Sequence, residues 1–165
     1  MRRIISVLME NEPGALSRIV GLFSQRGYNV DSLCVTTTGD PTLSRLTITT
    51  HGDDKVIEQI TKQINKLVDV FKVMDLTEGE HIERELMLLK VSTPTEQIRA
   101  EVKRNVDIFR AQILDVSAKT YTIQTTGSSE KLDAFLTSMS DYTDVVEVSR
   151  TGVCGLSRGE KSLHI

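Results

Sequence analysis

The segment Asn11-Glu12-Pro13-Gly14-Ala15-Leu16 is the part of the chain whose residue types and spacing could hold a small molecule. It joins an apolar, Ile- and Val-rich strand pattern over residues 2–9 to a helical pattern that puts Leu16, Ile19, Val20 and Phe23 on one face. The first turn of a helix leaves backbone N–H groups unpaired and carries a partial positive charge, so a carboxylate there is stabilised. Gly14 lets a ligand approach the backbone closely. Asn11 offers both a donor and an acceptor, which suits the ammonium and carboxylate groups of an amino acid. A second asparagine opens the next strand in Asn29-Val30-Asp31-Ser32 and could cap such a ligand from a neighbouring chain. The plain alternative is an ordinary turn, because Asn, Pro and Gly recur in turns of every kind.

The remaining chemistry-bearing residues do not assemble into a reactive set. A nucleophile needs a base within reach. The three histidines, His51, His81 and His164, fall at a strand end, in a polar linker and in the C-terminal tail. No catalytic residue is assigned. The two cysteines, Cys34 and Cys154, have neither metal-site spacing nor the density of a disulfide framework, which points to a reducing compartment. No metal site is assigned. Gly152, Gly155 and Gly159 lack the strand–turn–helix setting and the terminal Gly-Lys-Ser/Thr of a phosphate loop, and read as a flexible tail.

Composition narrows the classes further. The chain has 165 residues, enough for one large or two small domains, with 39% hydrophobic and 26% charged residues. Aromatic residues are only 4% and Trp is absent, so base stacking is poorly supplied, and a net charge of -3 argues against a phosphate-binding face. The apolar run Ile4 to Met9 is too short for a secretion signal or a membrane span, and a cytoplasmic location is expected.

Two similar halves position these residues. In the first, strands at 2–9, 29–37, 43–50 and 69–76 alternate with helices ended by Gly27 and started by Asp53. Residues 77–83 are polar and aperiodic, and a linker is placed there. The second half repeats the order, with strands at 84–92, 112–117, 120–126 and 144–151. Its helices start at a Thr93-Pro94-Thr95-Glu96 capping box, with Pro94 at the first helical position, and at Ser128. Two β-α-β-β-α-β units predict an α+β protein of two ferredoxin-like sandwiches in tandem. The expected boundaries are 1–78 for the first domain, 79–83 for the linker, 84–158 for the second domain and 159–165 for the tail. Each sheet has one face covered by helices, and the other is expected to pair with a second protomer, sheet to sheet or edge to edge.

The opening Arg2-Arg-Ile-Ile-Ser-Val-Leu-Met-Glu-Asn-Glu-Pro-Gly-Ala-Leu-Ser-Arg18, then Gly21-Leu-Phe-Ser-Gln-Arg-Gly-Tyr-Asn29 and Asp40-Pro-Thr-Leu-Ser-Arg45, resemble an ACT domain of the acetolactate synthase small-subunit family. The likeness continues through Glu101-Val-Lys-Arg-Asn105, Phe109-Arg110, Leu132-Asp-Ala-Phe135 and Gly155-Leu-Ser-Arg-Gly159, and covers essentially the whole chain. Cys34 is a departure from the motif. The resemblance implies a regulatory subunit without an active site or cofactor of its own. It implies a catalytic large subunit as partner, carrying thiamine diphosphate, magnesium and FAD, and feedback inhibition by valine in branched-chain amino-acid synthesis. It also implies a homodimer through the ACT domains. Valine would be lined by Asn11, Pro13, Gly14, Ala15 and Leu16 of one chain and by Asn29 and Val30 of the other. Three rivals lack their requirements: a transcription factor its basic DNA reader, a metal sensor its clustered His or Cys, and an enzyme its catalytic constellation.

Overall fold

The computed structural model describes residues 1–165. They divide into two compact units, Met1–Glu83 with Val153–Ile165, and Arg84–Gly152. No helix is long and apolar enough to cross a membrane.

In the first unit, β1 (Arg2–Glu10), α1 (Ala15–Gln25), β2 (Val30–Thr37), β3 (Leu43–His51), α2 (Asp54–Asn65) and β4 (Val70–Asp75) follow in the expected order. The strands form an antiparallel sheet in the order β2-β3-β1-β4. This order puts β1 in the interior of the sheet, and its residues Ile4 to Met9 are all buried. Ile5, Val7 and Met9 face the helices, where they join Ile19 and Phe23 of α1 and Ile57, Ile60 and Ile64 of α2 in one core. Leu46 and Ile48 of β3 enter the same core, as their alternation requires. Asp53 caps α2 by accepting a hydrogen bond from the Val56 N–H at 2.8 Å.

The opposite face of this sheet is partly covered within the chain itself. Ile4, Ser6, Leu8, Thr47 and Thr49 lie on it and are already buried in the single chain. Part of the cover is the C-terminal segment, which the sequence analysis assigned to the second domain and an irregular tail. Residues Cys154–Ser157 are instead a strand, β9, which pairs with β5 (His81–Ser92). Val153 packs with Ile4 and Leu76 in a small core of its own. The Arg45 guanidinium donates to the Gly155 carbonyl at 3.0 Å. Gly155 is fixed by close approach: a Cβ there would lie 2.9 Å from the Ile82 carbonyl oxygen. The segment placed as a linker is also structured, with a 3-10 turn over Leu76–Glu78 and β5 beginning at His81.

The second unit repeats the plan with the rest of β5, α3 (Glu96–Ile108), β6 (Gln112–Val116), β7 (Thr120–Gly127), α4 (Ser129–Ser140) and β8 (Val145–Arg150), in sheet order β6-β7-β5-β8. Met87, Leu89 and Val91 meet Val102, Val106, Leu132, Phe135 and Met139. Here the helix start is corrected. Thr95, not Thr93, is the N-cap, accepting from the Ile98 N–H at 3.2 Å, and Pro94 lies before the helix. Thr93 is buried instead, with its backbone N–H bonded to the Lys119 carbonyl at 2.7 Å. The tertiary position of Thr93 outweighs its local preference for a cap.

A chain ended at Gly152 should therefore uncover Ile4 and Leu76. Hydrogen exchange is expected to show lost protection in β1 and at Leu76–Glu78, while β7 and α4 keep theirs. Unchanged protection of β1 would show that the C-terminal segment contributes nothing to the first unit.

Candidate functional site

Gly14 stands at the junction of β1 and α1 with φ +87° and ψ -14°, a left-handed conformation that residues with a Cβ rarely adopt. It occupies the N-cap position, and no side chain caps the helix. The first bond of the helical pattern is the Arg18 N–H to the Gly14 carbonyl at 3.0 Å. The Ala15 N–H is taken up by the Glu12 carbonyl at 3.2 Å, so the amides of Leu16 and Ser17 are the uncapped donors of the turn. Ala15 is buried, and Asn11, Pro13, Gly14 and Leu16 are exposed, so this corner of the first unit opens to solvent.

Asn11 is less free than its inventory of polar groups suggests. Its N–H donates to the Thr42 carbonyl at 2.8 Å, and its side-chain Nδ2 donates to the Pro41 carbonyl at 3.0 Å. These bonds tie the end of β1 to the β2–β3 turn. They leave Oδ1 and one amide hydrogen for a ligand.

Asn29 and Val30 are not brought to this corner in the same chain. Val30 registers with Thr50, and Thr50 with Arg3, whereas Leu43 registers with Glu10 beside Asn11. Seven residues of β1 separate the two levels, about 23 Å at strand rise. The structure thus groups Asn11, Pro13, Gly14, Ala15 and Leu16, and sets Asn29 and Val30 at the far end of the sheet. A site using both sets needs two copies of the chain.

One residue beside the turn was missed. Arg18 lies one helical turn after Gly14, and its Nη1 is 2.9 Å from where a Gly14 Cβ would stand. Its Nε and Nη2 donate to the Asp69 carboxylate at 2.5 and 3.0 Å, and Nη1 makes no hydrogen bond. The Asp69 side chain is only 7% exposed. Its carboxyl is held below the ordinary range, first by the hydrogen bond from Arg18, against the opposing effect of desolvation. The Asp69 carbonyl also accepts from the Glu10 N–H at 2.8 Å, so the pair is anchored to β1 itself. The sequence carried a signal for this arrangement. An arginine near a helix N-terminus, where a carboxylate is the favoured charge, calls for a local anion.

The histidines build no competing site. His51 ends β3 and pairs through Nδ1 with the Asp31 carboxylate. The His81 ring lies 3.8 Å from Glu83. His164 Nδ1 lies 2.7 Å from Ser162 Oγ, but both are exposed in the tail and no third group orients the ring. No group of three or more His, Cys, Asp or Glu residues is arranged to hold a metal. In the second unit, Arg150 donates to Glu85 at 2.9 and 3.0 Å and to Asp133 at 2.6 Å, pinning β8 and α4 to β5.

Tandem β-α-β-β-α-β units, the first with an open, uncapped helix start after a positive-φ glycine, define a protein of the ACT-domain class. Residues 5–72 match the family model of the AHAS small subunit-like ACT domain, and residues 84–159 match that of the small subunit of acetolactate synthase. The chain belongs to the acetolactate synthase small-subunit family. It is 62% identical over 164 residues to the acetolactate synthase isozyme 3 small subunit of Salmonella typhimurium, covering 99% of this chain and 100% of the relative. The Escherichia coli isozyme 3 small subunit is likewise 62% identical, with the same coverage. The crystal structure of the small subunit from Thermotoga maritima superposes with a TM-score of 0.86 at 38% identity, covering 98% of this chain and 99% of that one.

The lowered Asp69 carboxyl gives a signed pH prediction. Stability from this group is complete above its unfolded value, about 3.9, and is lost as pH falls through the lower folded value. The gap in urea midpoint between wild type and Asp69→Asn is expected to be widest near pH ~6 and to close on acidification below pH ~4. A gap that stays constant would separate the Arg18–Asp69 pair from the acid response.

Proposed function

We propose that this chain is the regulatory subunit of acetolactate synthase: it binds the catalytic large subunit, raises its activity and makes it sensitive to valine. Thiamine diphosphate, magnesium and FAD belong to the large subunit in this proposal, and the small subunit performs no chemical step. The observation that carries the effector role is the helix start at Gly14. The uncapped amides of Leu16 and Ser17 and the unused Nη1 of Arg18 converge on one exposed corner.

An amino-acid effector suits that corner. Its carboxylate meets uncapped amides and a guanidinium, which favour negative charge together. Its ammonium can donate to Asn11 Oδ1. Leu16 is the exposed apolar neighbour on the same turn. Pro13 and Ala15 set the backbone around it. Asn29 and Val30 of a second copy complete the enclosure, which makes the proposed homodimer a condition of binding. Valine then inhibits by binding the less active form of the complex more tightly, with a coupling on the order of 1–3 kcal/mol.

Two measurements test this. Gly14→Asp places a Cβ in the left-handed region and a carboxylate beside the effector's own, so valine should lose most of its effect on the reconstituted complex. Activity against valine concentration, beside a check that the variant dimerises, decides it. An unchanged valine response in a folded variant would move the site elsewhere. Calorimetry with alanine should give roughly tenfold weaker binding than valine, because two fewer buried carbons forgo about 0.8 kcal/mol each. Equal affinities would exclude an apolar side-chain pocket.

A further inference from the structure

We propose that Cys34 and Cys154, the only cysteines in the chain, form a reversible disulfide that fastens the C-terminal segment to β2. They are far apart in sequence and belong to the same compact unit. Cys34 registers with Thr47, while its neighbour Leu33 registers with Ile48 of the helix-side core. Cys34 therefore faces away from the helices, on the side where the C-terminal segment lies.

The contacts on either side of Cys154 place it at the level of Cys34. The Val153 N–H donates to Ser32 Oγ at 3.4 Å, and Ser32 is two residues before Cys34 on the same face. The Gly155 carbonyl accepts from Arg45, and Arg45 registers with Thr36, two residues after Cys34. The segment is thus tied to the sheet on both sides of the Cys34 position, with Cys154 between the ties. A disulfide requires a Cα separation of about 4.4–6.8 Å. Burial pushes the Cys34 thiol up, and Cys154 adds to the shift as a near neighbour. Burial lowers the Arg45 guanidinium below its ordinary value, and Cys154 opposes that shift as a near neighbour.

The two thiols differ in access. Cys154 is exposed and Cys34 is half-buried. With glutathione disulfide as oxidant, Cys154 loses its proton and the thiolate attacks one glutathione sulfur, releasing the first glutathione thiolate. Cys34 then loses its proton and attacks the Cys154 sulfur of the mixed disulfide, expelling the second. One disulfide is reduced, one is formed, and two protons pass to the two released glutathiones. The second step is intramolecular, so the mixed disulfide closes rather than accumulates. The closed bond would hold Val153 over Ile4 and Leu76, so the cover of the first sheet becomes redox-dependent.

The test is incubation of the full chain with glutathione disulfide near pH ~8, where a thiol is partly ionised, followed by alkylation, digestion without reduction and peptide mapping. Both thiols should disappear together, a Cys34–Cys154 linked peptide should form in monomeric chain, and dithiothreitol should restore both. Cys34→Ser should stop at glutathionylated Cys154. Cys154→Ser should leave Cys34 mostly unmodified over the same interval. Glutathione on each cysteine of the wild type, chain-to-chain disulfides alone, or a linked peptide seen only when urea is present would each overturn the proposal.

Discussion

A strand buried on both faces demands cover from two directions, and β1 is such a strand. Ile5, Val7 and Met9 are satisfied by the two helices that its own unit supplies nearby in sequence. Ile4 is covered from much farther along the chain, by Leu76 and Val153. The return of the C-terminal segment to the first unit follows from that demand. The hydrogen bonds of Arg45 and Ser32 to the segment, and the missing Cβ at Gly155, are what let it lie close enough.

The same strand fixes what one chain can offer to a ligand. One end of β1 leads into Gly14, and the other end lies level with Val30 through Thr50. These groups are separated by nearly the length of the strand. A single sheet therefore presents a carboxylate-favouring corner at one end and a polar and apolar cap at the other. In the proposed homodimer, two copies in opposite orientation would bring them together, and the proposed dimerisation and effector binding would then share one geometric origin.

The element order and the helix-facing residues were legible because they follow local rules. Periodicity placed Ile19 and Phe23 on one face of α1, and Asp53 and Ser128 announced their helices. The site turn was legible as Asn-Glu-Pro-Gly for the same reason. Features fixed by distant partners were not. Thr93 has the local form of a cap but is drawn into the interior, so Thr95 takes the role. Gly152 to Gly159 has the composition of a flexible tail, yet a strand forms there because β5 offers an edge. Asp69 sits between Val68 and Val70 in sequence, with nothing local to mark it as the anchor of Arg18.

The Arg18–Asp69 pair gives the corner its electrical character. A guanidinium beside a helix N-terminus adds positive charge to a place that already has it, and is unfavourable without an anion. Asp69 supplies that anion, binding Nε and Nη2 and leaving Nη1 without a hydrogen bond. The remaining donors, Nη1 and the amides of Leu16 and Ser17, lie at the same exposed corner. In the proposed site, the effector's carboxylate would meet all of them while Asp69 stays held to β1 through Glu10. Arg18 and Asp69 thus link the proposed ligand corner to β1, and β1 registers with β3 and β4 on either side. A ligand that strengthens the hold of α1 on β1 thus acts on the strand around which the whole first unit is packed, and that mechanical continuity is what an effector needs to bias one state of a larger complex over another.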